Sequence, residues 1–180
     1  MTKKLLLFAL SLGILLPTLT LSPTAYAASD AECSIWLCLP TGFPSGCGDA
    51  KSAFKKRIKK FKPPLPSFTG CLLKDSPKTS TMDAKDGYAA LMPEKRVCNS
   101  WEQRRSGGEW ERYCTGYKTI PTHVIKNTRC YSRWRDGERI TNPSGCSRTI
   151  RYVDTYMDGK TYGETHYFDN NGNDISIPSH

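Results

Sequence analysis

Hydrophobic positions change their spacing along the chain, and each regime predicts a different element. Leu5 to Leu21 is an almost unbroken apolar run behind Lys3 and Lys4, and Ala25-Tyr26-Ala27 follows it. A positive start, an apolar stretch and an A-x-A site predict a secretory signal peptide over 1–27, cleaved after Ala27. Pro17 interrupts the run and no basic stop-transfer segment follows. A membrane span needs about 20 clean apolar residues, so an uncleaved anchor is the weaker reading. Cys33 lies too far in to be a lipid-modified first residue.

Residues 28–71 carry helical spacing. Ser29-Asp30-Ala31-Glu32 has the form of a capping box, with Ser29 accepting from the Glu32 N–H and Glu32 reaching back. A short helix is expected to run to about Cys38 and stop at Pro40. Ser45 is placed to cap a second helix, with Asp49 in its first turn. On that helix Ala50, Ala53, Phe54, Ile58 and Phe61 share one side. Lys51, Lys55, Lys56, Arg57, Lys59, Lys60 and Lys62 form a basic face around the rest. Pro63-Pro64-Leu65-Pro66 ends the helix and predicts an extended return toward Cys71.

The period is weak over 72–96, which reads as a connector with one helical turn at Tyr88–Met92. From 97 to 172 Tyr, Trp, Thr and Arg alternate between turn signals. Ser106-Gly107-Gly108, Asp136-Gly137 and Asp158-Gly159 each separate two alternating runs, as hairpin turns do. Both faces of IRYVDTYM are mixed, which predicts a thin, half-wet sheet. A frayed tail is expected over 173–180. The pattern therefore predicts an α+β chain: a small disulfide-stapled N-terminal helical hairpin over 28–71, then an antiparallel β-hairpin-rich region over 97–172.

The charge is +9 at pH 7. That balance favours anionic neighbours such as nucleic acid, anionic lipid or wall polymer without choosing among them. The eight cysteines, at 33, 38, 47, 71, 98, 114, 130 and 146, all follow the export signal. An even count in that context reads as a disulfide framework and an oxidising compartment. A bacterial periplasm fits. Zinc fares badly, since no C-x-x-C or cysteine–histidine cluster occurs.

No catalytic constellation stands out. G-x-S-x-G is absent, and the histidines are His123, His166 and His180. His166 lies in an alternating run with Glu164 and reads as an exposed strand residue. Asp154, Asp158 and Glu164 sit in turns and on wet strand faces, where neither carboxyl gains the raised pKa that glycoside cleavage needs. DNNGND at 169–174 lacks the closing Glu of a calcium loop and reads as a turn. Neither a cofactor nor a metal is expected. The basic helix lacks the interleaved aromatics of a nucleic-acid surface, so a solvated face is favoured over DNA binding.

Residues 31–71 resemble the N-terminal motif of the TrbM/KikA family of conjugal transfer proteins. Cys33, Trp36-Leu37-Cys38-Leu39-Pro40, Gly42-Phe43-Pro44, Gly46-Cys47, Ala50, Phe54, Arg57-Ile58, Pro64-Leu65-Pro66-Ser67-Phe68 and Cys71 carry the likeness. The combination of WLCLP, GFP-x-GC and PPLP-x-F is specific, though each piece alone is weak. YAALMPEKRVC and TYMDGKTYGETHYF add a fainter likeness. The resemblance implies an exported accessory protein of a conjugative, type IV secretion-like system, working in mating-pair formation. It implies partners among the other envelope components and supplies no catalytic residue. A wall- or nucleic-acid-active enzyme of the same system and a secreted basic effector are the rival readings.

Eight cysteines allow 105 pairings. A helical hairpin sets Cys38 near Cys47 and leaves Cys33 for Cys71 within the family-like unit. A hairpin centred near Gly107 sets Cys98 near Cys114, and the Asp136-Gly137 turn sets Cys130 near Cys146. On this basis a two-unit molecule is expected, with no bridge joining the first four cysteines to the last four.

Overall fold

The computed structural model describes residues 28–72 and 80–178. The expected signal peptide, residues 73–79 of the expected connector and His180 lie outside the described residues. Among those described, no helix is long and apolar enough to cross a membrane.

The N-terminal unit begins with the expected capping box. Ser29 Oγ accepts from the Glu32 N–H, and the Ser29 N–H donates to Glu32 Oε2. Two short helices follow, α1 (Asp30–Cys33) and α2 (Ile35–Cys38), then a 3₁₀ turn at Leu39–Thr41. Helix α3 (Gly48–Lys59) starts later than expected: Cys47, not Ser45, is its N-cap, and no side chain caps it. Cys33–Cys71 and Cys38–Cys47 staple the unit, with Cα separations of 5.4 and 5.9 Å. Trp36 Nε1 donates to the Pro66 carbonyl at 3.2 Å, and its ring meets Phe68 edge-on. The returning proline segment is thereby pinned against the helices.

The rest is antiparallel. A five-stranded sheet has the order β4 (His123–Lys126), β1 (Met82–Met92), β7 (Arg148–Met157) and β8 (Lys160–Thr161), with β9 (His166–Phe168) also paired to β7. Two separate ribbons project from it, β2–β3 (Lys95–Ser106, Glu109–Ile120) and β5–β6 (Tyr131–Arg135, Glu138–Asn142). The expected connector is therefore wrong over 82–96. It holds the long strand β1 and the start of β2, with no helical turn at Tyr88–Met92. Asp, Lys, Gly and Ala are poor strand formers, so local pattern hides β1. A continuous ladder from Met82↔Met157 to Leu91↔Arg148 imposes it. Gly87 gives the Tyr152 ring room, because a Cβ there would lie 3.1 Å from its hydroxyl and press the ring aside.

Both faces of β7 are covered, which corrects the half-wet expectation. Val153 and Phe168 join Ile35, Trp36, Leu39, Phe43, Phe54 and Ile58 in the main core. On the opposite face Ala89, Ile150 and Tyr152 pack with Leu91, Val124, Tyr167, Ile175 and Ile177. The expected frayed tail is thus docked as far as Ile177, and the Ile175 N–H donates to the Tyr167 carbonyl. Disulfides stay within each half, yet the halves share one core. Gly163 (φ +76°) lets the β8–β9 loop abut Pro40, where a Cβ would stand 2.4 Å from the Pro40 carbonyl oxygen.

The β2–β3 ribbon is an insertion. Met92 pairs directly with His123, so everything between them leaves and re-enters the sheet at one point. Cys98–Cys114 braces this arm and Cys130–Cys146 the other. The Gly107-Gly108 and Asp136-Gly137 turns fall where expected. A β-bulge around Asn99 brings Cys98 within reach of Cys114 although Cys98 faces Tyr117 in register.

Candidate interaction surfaces

The expected basic face of α3 divides on inspection. Arg57 is buried and structural. Its Nη1 pairs with Glu32 Oε1 at 2.8 Å, Nε donates to the Pro63 carbonyl at 2.9 Å, and Nη2 donates to the Leu65 carbonyl at 3.0 Å. Burial alone would raise the Glu32 pKa, but the Arg57 hydrogen bond, the Ser29 N–H and the charges of Arg57 and Lys62 hold it below its ordinary 4.5. Lys51 forms an ion pair with Asp174, and Lys55 backs onto Gly172. Lys56, Lys59, Lys60 and Lys62 remain exposed. Among them stands Phe61, expected in the core but 96% exposed. Helix α3 stops at Lys59, so Phe61 leaves the helical stripe before it can join it.

His166 is the reverse case. Expected on a wet strand, it is buried among Phe43, Phe54 and Phe168, with ring centroids 5.3, 5.4 and 6.0 Å away. Strand β9 turns it toward the helical unit because Val153, its partner in register, faces that way. Nε2 lies 3.4 Å from Asp174 Oδ1 and makes no hydrogen bond. Desolvation pushes the His166 pKa below its ordinary 6.5, against the pull of Asp174 and with the help of Lys51. The folded state therefore holds His166 neutral while the unfolded chain protonates. Stability is present above the unfolded pKa and falls as pH drops below about 6.5, by up to about 1.4 kcal/mol per pH unit. His166→Leu should flatten that slope between pH 5 and 7 in denaturant titrations, and an unchanged slope would refute the assignment.

Of the carboxylates raised by the sequence, Glu164 is exposed, while Asp154, Asp158 and Asp169 are occupied in the fold. Asp154 accepts from Lys126 Nζ at 2.7 and 2.9 Å and from Thr165 at 2.6 Å. Asp158 accepts from the Thr81 N–H at 2.7 Å. Asp169 closes its own turn by accepting from the N–H groups of Asn171 and Asn173, each at 2.8 Å. Among the described residues no group of three or more His, Cys, Asp or Glu stands together as a metal site.

The arms carry what the sequence reading missed. No residue of β2–β3 is buried. Trp101 is 52% and Trp110 70% exposed, and Trp134 on the other arm is 76% exposed. Register sorts the outer half of β2–β3 into unlike faces. Trp101, Gln103, Arg105, Trp110 and Arg112 share one, with Arg105 directly opposite Trp110 and the Arg112 guanidinium 5.0 Å from the Trp101 ring. Glu102, Arg104, Glu109, Glu111 and Tyr113 share the other, where the Tyr113 hydroxyl donates to Glu102 at 2.8 Å. One face is thus arginine and tryptophan without a carboxylate. The signal was present in the sequence: a ribbon whose faces both carry charge has no apolar side to bury, so its tryptophans must stay wet.

Against family models, curated proteins and solved structures the chain has no match. The four disulfides place it in an oxidising, exported environment.

Proposed function

We propose that this chain is a periplasmic accessory protein of a conjugative, type IV secretion-like apparatus, released by cleavage after Ala27, and that it works by docking on other envelope components and not by catalysis. The likeness of residues 31–71 to the TrbM/KikA motif supplies the system. The observation that carries the docking role is the outer β2–β3 ribbon, which holds Trp101 and Trp110 in water over no core. An isolated two-stranded ribbon is marginal in water. Trp and Arg are the residues that dominate protein–protein binding energy when a partner buries them. An arm of this composition is a surface made to be covered.

The test is genetic and structural together. Removing the gene from its conjugative element should reduce transfer to recipients, on solid surfaces and in liquid. Trp101→Ser with Trp110→Ser should reproduce that defect and abolish crosslinks to envelope partners in cells. Its stability should shift by no more than about 0.5 kcal/mol, as exposed substitutions do. Because Met92 and His123 pair directly, replacing residues 94–121 by a short Asn-Gly turn should leave a folded, oxidised core that has lost the crosslinks. Unchanged transfer without the gene would overturn the system, and unchanged crosslinking without the arm would overturn the docking surface.

A further inference from the structure

We infer that the C-terminal end of α3 is a membrane anchor: Phe61 inserts into the interfacial region of an anionic phospholipid bilayer, while Lys56, Lys59 and Lys60 sit on its headgroups.

The inference starts from a residue in the wrong place for folding. Phe61 occupies the position just past the helix, at φ +54°. Its N–H donates to the Ile58 carbonyl, and the Lys62 N–H closes back on the Arg57 carbonyl at 3.0 Å. This left-handed cap is the site where glycine is strongly preferred, since a side chain is strained there. A bulky aromatic in that conformation is an outlier. The chain gains no burial in return, because Phe61 is the most exposed large hydrophobic residue described. Backbone strain and exposed apolar area both work against stability, so folding does not explain this phenylalanine. Strain kept against the interest of the fold is a mark of functional sites.

The surroundings name the occupant. Lys60 adjoins Phe61 in sequence, Lys59 lies two positions before it and Lys56 one helical turn before Lys60, all exposed. Acidic groups are close: Glu32 and Asp49 line the same groove as Lys56 and Lys60. Glu32 is paired with Arg57, however, and Asp49 sits in the first turn of α3, at the other end of the helix from Lys59 and Lys60. A single aromatic ring ringed by lysines suits a bilayer interface, where the ring sits at the acyl boundary and the ammonium groups stay at the headgroups. A protein pocket for Phe61 would have to be lined by acid, and a nucleic-acid surface would need a row of aromatics where here there is one. The rigid cap also presents the ring without further ordering, so little conformational entropy is lost on insertion.

The probe is vesicle co-sedimentation with the oxidised chain, its mass confirmed to begin at Ala28. Vesicles of phosphatidylcholine with about one third phosphatidylglycerol should bind it, pure phosphatidylcholine should not, and raised salt should release it. Phe61→Ser should weaken binding about tenfold. Lys59→Gln with Lys60→Gln should do so to a similar degree, about tenfold. Phe61→Gly should also lose the vesicles while its Tm stays level or rises, since glycine suits the cap. The proposal is overturned by any of three results: Phe61→Ser binding as the parent does, Phe61→Gly losing several degrees of Tm, or a Phe61-dependent affinity for a single-stranded oligonucleotide with none for vesicles. None of these readouts involves the arms, so failure of the docking reading leaves this one standing, and the reverse.

Discussion

Arg57→Ala is expected to destabilise the chain by about 3–5 kcal/mol, the loss seen when one partner of a buried ion pair is removed. The guanidinium serves three acceptors at once. Two of them, the Pro63 and Leu65 carbonyls, belong to a proline-rich segment that makes no strand pairing. The third is Glu32, itself the closing member of the capping box. Alanine would leave these groups desolvated without partners and loosen the proline return from α3. Arg57→Lys keeps the charge but cannot reach three acceptors in a fork, so it should recover only part of the loss. Equilibrium denaturation of both variants against the parent measures this. An Arg57→Ala effect under about 1 kcal/mol would mean the residue belongs to the surface after all. The depressed Glu32 pKa adds a sign: this contribution is present above pH 4.5 and is lost as pH falls below it through the folded-state value.

Loss of Cys33–Cys71 is the second large expectation. The bridge closes a 38-residue separation, and on the loop-entropy model its removal should cost about 4 kcal/mol. Cys38–Cys47 spans only 9 residues, for which the same model gives about 2.5 kcal/mol. Serine replacement of each pair, read by denaturation without reductant, should rank them in that order. The longer bridge also ties α1 to the segment that Arg57 and Trp36 hold, so Cys33→Ser with Cys71→Ser combined with Arg57→Ala should fall short of additivity. A reversed ranking would show that strain or residual unfolded-state structure outweighs loop closure. With folded domains stable by only about 5–15 kcal/mol, the chain should not persist in a reducing compartment.

What was legible in the sequence was local. Asp-Gly and Gly-Gly turns, a Ser-x-x-Glu cap and cysteines placed around turns announce themselves within a few residues, and each sits as expected. What was hidden depends on distant partners. Met82–Met92 has the composition of a loop, and becomes a strand only because β7, more than fifty residues on, offers it a full ladder. His166 looked solvent-facing because alternation cannot say which side a helical unit will cover. Phe61 looked buried because helical spacing was extended past the point where the helix stops. The seven-residue basic face does not stay whole: Arg57 turns inward and donates to the Pro63 and Leu65 carbonyls of the proline segment.

The pairing of β1 with β7 imposes an order in time on a chain delivered through a membrane N-terminus first. The stapled unit emerges early and can oxidise at once, since both its bridges close within residues 33–71. Its apolar floor does not exist until Val153 and Phe168 arrive. Between these events both arms must pass, each bracing itself with its own bridge. For that interval Ile35, Phe43 and Phe54 face water on a half-built surface, and β1 offers an unpaired edge. A chain arrested before residue 148 would be a natural client for the chaperones and proteases of its oxidising, exported environment. Completion of the last strands is the step that withdraws it from them.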